Sequence, residues 1–188
     1  MDVIDMLKEE HRAMAKLLKA FERQLDLLAE AQHPDYDVID GVLQYCRDFP
    51  DRYHHPKEDL LLERLLMRQP EASEKIGDLY KEHEELAELT KRLGHSFDSL
   101  LNEAEISREG IVTLGRDFLQ HYWDHMRKEE EVFLPLAREV LSESDLRQVD
   151  SKIESSPDPL FGPEVDARFD SLREHILAWD REDREAAR

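Results

Sequence analysis

The stretch YHHPKEDLLLERL, Tyr53 to Leu65, runs two histidines and a glutamate straight into a leucine stripe. On a helix His54 and Glu58 stand one turn apart on one face, and Leu61 and Leu65 continue that face. A carboxylate on a buried face costs free energy unless something neutralises it. Either this face is not core, or the core holds a partner that the sequence does not supply.

Apolar stripes of alternating three- and four-residue steps extend on both sides of this stretch. The first runs through Ile4, Leu7, His11, Met14, Leu18, Phe21, Leu25 and Leu28, with Asp2 placed as N-cap. After AQHPDYD a second begins near Asp37 and carries Ile39, Val42, Cys46 and Phe49. It resumes after Pro50 as His54, Glu58, Leu61 and Leu65, one residue out of phase. The slip coincides with Pro50 and Pro56 and predicts a kinked helix or two helices in series. The third stripe is Ile76, Leu79, His83, Leu86, Thr90, Leu93, Phe97 and Leu100. The fourth, with Ser107 as N-cap, is Ile111, Leu114, Phe118, His121, His125, Glu129, Val132, Leu136 and Val140, and Pro135 should bend it. A short amphipathic piece (Leu146, Val149, Ile153), the break SSPDPLFGP and a last helix (Val165, Phe169, Leu172, Ile176, Trp179) complete the chain.

Four long amphipathic helices with short connections predict an all-α fold, an antiparallel up-down-up-down four-helix bundle with additional C-terminal helices. The bundle occupies residues 1–141. Residues 142–188 form a helical extension that packs on it or meets a second copy in a homodimer. Glycine is scarce, at 6, and charged residues make up 38 %, which suits helices rather than sheet. A net charge of -19 argues against a nucleic-acid footprint or attraction to anionic lipid. The single Cys46 excludes an intramolecular disulfide and a cysteine-based zinc site. No apolar run reaches membrane-spanning length, and MDVIDMLKEEH lacks a basic start and an apolar run, so a cytoplasmic location is the expectation.

The polar residues on the stripes carry the chemistry. His11, His54, Glu58, His83, His125 and Glu129 include at least one residue from each bundle helix, and His121 shares their stripe. At ~1.5 Å of rise per residue, alternating helix direction brings early positions on the odd helices level with late positions on the even ones. Imidazole with carboxylate suits iron, manganese or zinc. Two glutamates, each one turn after a histidine, can bridge two cations about 3.5–4 Å apart. A lone stripe histidine is more often a hydrogen-bonded core residue, but two His-x-x-x-Glu pairs with further histidines over four helices exceed chance. His55 points about 100° from His54 and so stands beside the site or toward solvent. His33, His95 and His175 lie outside the pattern.

KEEHRAM, HHPKED, EHEEL and HMRKEEEVFLPL, in that order, resemble the hemerythrin-like, HHE cation-binding family, and PDPLFG before a final helix is similar to its bacterial members. The resemblance implies a four-helix bundle holding two non-haem iron ions. His11, His54, His83 and His125 would be terminal ligands, and Glu58 and Glu129 would bridge. Oxygen-carrying members place two histidines four residues apart on the third helix, where this chain has Leu79 before His83. One terminal ligand is therefore absent or replaced, with His121 or His55 as the substitute. The implied function is binding of, or response to, O2, NO or iron. The alternatives are a di-iron oxidase or peroxidase, an iron donor in iron-centre repair, and a metal-free structural bundle.

Overall fold

In the computed structural model, residues 2–101, 107–153, 158–162 and 166–186 are described. Val165 and the side chain of Leu100 lie outside them. Every long element among the described residues is helical. Helix α1 spans Val3–Ala29, and Asp2 caps it by accepting from the Asp5 amide. Helix α2, Tyr36–Asp48, begins behind Asp35, whose side chain accepts from the amides of Asp37 and Val38. It leads through Pro50–His54 into α3, His55–Arg68. After a short α4, Ser73–Ile76, Gly77 adopts φ of +77°, the left-handed region that side chains disfavour. Helix α5, Leu79–Leu101, follows. Helix α6, Arg108–Lys128, starts at the Ser107 cap and passes through Glu129–Phe133 into α7, Leu134–Val140.

The phase slip of the second stripe has a specific cause. Pro50–His54 is a π turn in which the His55 amide donates to the Pro50 carbonyl, five residues back. One extra residue is thereby absorbed without ending the rod. Glu129–Phe133 is a second π turn, closed from the Leu134 amide to the Glu129 carbonyl. In a regular α-helix the Pro56 ring would meet the Arg52 carbonyl, and Pro135 would meet that of Glu131. Both carbonyls fall inside the widened turns. The second insertion also corrects the fourth stripe: the buried residues of the rod beyond Glu129 are Phe133, Leu134, Ala137 and Leu141, not Val132, Leu136 and Val140. Before it, Gly115 and Tyr122 are buried where Leu114 and His121 were expected.

The four rods, α1, α2–α3, α5 and α6–α7, form an antiparallel bundle whose apolar core is split in two. One cluster holds Met14 to Leu28 of α1 with Val38 to Phe49, Leu86 to Phe97 and Ile111 to Met126. The other holds Val3 to Leu7 with Leu61 to Leu65, Ile76 to Leu79 and Phe133 to Leu141. Each rod crosses from one cluster to the other, in alternating direction, at the level of its stripe histidine. Helix α8, Glu143–Asp150, opens with a capping box between Ser142 and Asp145. Its Leu146 and Val149 join the second cluster. Helix α9, Asp170–Ala186, lays Leu172 and Ile176 against the first, where Leu172 lies close to Gly41 of α2. No helix among the described residues is long and apolar enough to cross a membrane.

Candidate metal centre

The layer between the two clusters is polar. His11 enters it from α1, His54 from the end of the first π turn, His55 and Glu58 from the first turn of α3, His83 from α5, His125 from the end of α6 and Glu129 from the start of the second π turn. None is more than 7 % exposed, and both glutamates are fully buried. Glu58 stays one turn from His54 despite Pro56, with Oε1 3.2 Å from His54 Nε2.

Each carboxylate spans the layer. Glu58 Oε1 lies 3.3 Å from His11 Nε2, while its Oε2 lies 3.4 Å from His83 Nε2. Glu129 Oε1 lies 3.1 Å from His125 Nε2 and 3.5 Å from His83 Nε2, and its Oε2 is 3.4 Å from His11 Nε2. Donor atoms of His55, Glu58, His83 and His125 fall within 4.8 Å of one another, and so do those of His11, His54 and Glu58. The structure thus brings together His11, His54, Glu58, His83, His125 and Glu129 with one of the two candidate substitutes, His55. That ring stacks on His83 at 4.3 Å and 9°. His121 stands apart: it is exposed, its Nδ1–H donates to the Asp117 carbonyl at 2.8 Å, and it reaches the centre only as one lining residue of a cavity of about 240 Å³ that also touches His125. Tyr122 packs on Phe118, Tyr53 packs on Phe49 against the first cluster, and His33 and His95 are exposed.

The electrostatics are those of a site built for cations. Burial pushes the Glu58 carboxyl up, but His54, His11 and His83 together hold it well below the usual range. Glu129 is likewise lowered: burial and Glu58 raise it, and His125 and His11 outweigh them. Against the pull of burial, Glu129, Glu130 and Glu58 push His11 up to about 12, and Asp59, Glu129 and Glu58 do the same to His83. His55 goes the other way, to about 4, chiefly through burial, and so offers a neutral ring. Glu58 Oε2, Glu129 Oε2 and His125 Nε2 are buried without a hydrogen-bond partner. Buried polar atoms left unsatisfied between two apolar clusters are what bound cations satisfy. The imidazole and carboxylate donors fit iron, manganese or zinc.

The layer beyond these donors was not read from the sequence. His11 Nδ1 lies 3.2 Å from Glu130, His54 Nδ1 2.7 Å from Glu10, His83 Nδ1 3.0 Å from Asp59 and His125 Nδ1 3.2 Å from Glu82. His55 Nδ1 is 3.5 Å from Asp51. A signal was present: Glu10, Asp59, Glu82 and Glu130 each adjoin a stripe ligand candidate in sequence.

A family model described as hemerythrin HHE cation binding domain matches residues 2–137. No curated protein and no solved structure matches the chain.

Proposed function

Since the chain belongs to the hemerythrin HHE cation-binding family, we propose that it holds two non-haem iron ions and uses them to bind a diatomic ligand, O2 or NO. The observation that carries the reading is the unequal division of donors about two spanning glutamates. His55, His83 and His125 face one side of Glu58 and Glu129, and His11 and His54 face the other. Five donor groups against four leave the His11 side with more room at a six-coordinate ion. Bound iron supplies an open coordination position and the electron that such a ligand needs.

The protein's part is to hold that position and keep water scarce around it. Glu58 and Glu129 would be shared between the ions, His55, His83 and His125 would hold one and His11 and His54 the other, and the apolar clusters above and below exclude solvent. A cavity of about 430 Å³ reaches His11 between Ala15, Trp123 and Met126, with Arg12 and Arg127 at its rim. It offers a small ligand a path on the side that has fewer donors.

The test is anaerobic loading with Fe(II), followed by iron counts and optical spectra before and after O2 or NO. The expected result is about two irons per chain and a new absorption band with each gas. Fewer than two irons, or spectra that neither gas changes, would overturn the reading.

A further inference from the structure

His11, His54, His83 and His125 turn Nε2 inward and meet a different carboxylate through Nδ1, while His55 Nδ1 stands near Asp51 without a hydrogen bond to its Oδ1. The pairs are His54 with Glu10 at 2.7 Å, His83 with Asp59 at 3.0 Å, His11 with Glu130 and His125 with Glu82 at 3.2 Å, and His55 with Asp51 at 3.5 Å. Four of the five join different rods of the bundle. The histidines outside the layer behave otherwise: His121 and His175 spend Nδ1–H on the carbonyl four residues back in their own helix.

From this arrangement we infer that Glu10, Asp59, Glu82 and Glu130 are positioning residues that strengthen cation binding at the centre and favour its oxidised state. The inference rests on the metal-centre reading above.

An ionised carboxylate can only accept, so each hydrogen-bonded Nδ1 must carry the hydrogen, and its Nε2 is the atom that can present a lone pair to the interior. When a cation displaces the Nε2 proton, the same tautomer is thereby selected in His11, His54, His83 and His125. The shared hydrogen also moves electron density toward Nε2, making the ring a stronger donor. Two ammonium groups answer part of the charge, Lys57 at Glu10 and Lys128 at Glu82. With Glu58 and Glu129 included and with Lys8 and Arg12 acting on Glu130, seven carboxylates face four cationic side chains, a surplus of three negative charges around metal-bound imidazoles. Such a shell favours the more highly charged state of any cation it surrounds.

Asp59→Asn, Glu82→Gln and Glu130→Gln keep side-chain shape, and all three positions are partly exposed, so the fold is retained. Affinity for Zn(II), read by competition with a chelator, should fall 10–100-fold in each. In iron-loaded protein, the ratio of reduced to oxidised centre at a fixed potential should rise about tenfold, which is 59 mV for one electron. Circular dichroism checks that the helices are intact. Folded variants whose Zn(II) affinity stays within twofold of the parent, or whose reduction ratio is unchanged or lowered, would overturn the inference. A parent that binds Zn(II) but not two irons would sink the di-iron reading alone, and the zinc comparison would still decide this one.

Discussion

His55 stacks parallel on His83, centroid to centroid at 4.3 Å, while Leu79, one turn before His83, is buried in the apolar cluster below. The second rod thus sets an imidazole beside His83 where the third rod has only Leu79. His55→Ala is therefore expected to bind one of two cations at least about tenfold more weakly, and the double variant His55→Ala/Leu79→His to recover part of that loss. Zn(II) stoichiometry by calorimetry checks both; unchanged stoichiometry and affinity in His55→Ala would place His55 outside the ligand set.

The two π turns set the phase of everything beyond them. Deleting the exposed Arg52 from Pro50–His54 would leave the regular α-helical count, turning α2 by about 100° relative to α3. It would also place Pro56 in a narrow helix, at about 3 kcal/mol. The shortened chain is expected to lose cation binding and unfold at lower urea. A deletion variant with parental zinc affinity would show that the widened turn does not aim His54.

Protons and cations compete for the same nitrogens. In metal-free protein, carboxylates outweigh burial to hold His125 up at about 9 and His83 at about 12. A raised histidine stabilises the fold fully below its unfolded value, ~6.5, and that stability is lost as pH rises through the folded value. Metal-free protein should thus weaken from pH 6.5 through about 9, first through His125. Zinc removes this dependence by replacing the protons. The gap in Tm between zinc-loaded and metal-free protein should widen across that range, and zinc binding at pH 7 should release protons to an indicator dye.

Helices α1 and α6 approach closely at Gly115, where a Cβ would stand 2.7 Å from Leu25 Cδ1. Leu25 is fully buried and has little room to turn aside. Gly115→Val should cost about 1–3 kcal/mol by overpacking, measured by urea unfolding. A variant as stable as the parent would mean that the α1–α6 contact is looser than its geometry.

The bundle was legible because its ligand candidates break the apolar rule on the apolar stripe. His11, His54, Glu58, His83, His125 and Glu129 stand out that way, and Asp2 and Ser107 announce two helix starts. The phase was less legible. From Phe118 a step of three reaches His121 and a step of four reaches Tyr122; both are allowed on a helix, and packing takes the aromatic ring. The slip at Pro50 showed between two well-marked stripes, whereas the same slip at Glu129 was masked by apolar residues at both 132 and 133. His55 looked misaligned because one helix face was assumed. The layer is wide enough for neighbours about 100° apart to reach its two sides, His54 toward His11 and His55 toward His83.

The polar layer leaves each rod with two separate apolar segments, one in each cluster. The molecule is consequently a pair of stacked half-bundles joined at a waist, where the metal-free protein sets Glu58 against Glu129 and relies on the charged histidines between them to offset that repulsion. Amide hydrogens near residues 11, 54, 83 and 125 should then exchange faster than those at either end, and slow most on zinc addition. A ligand at the waist acts where the two halves meet, and α9 packs on only one of them.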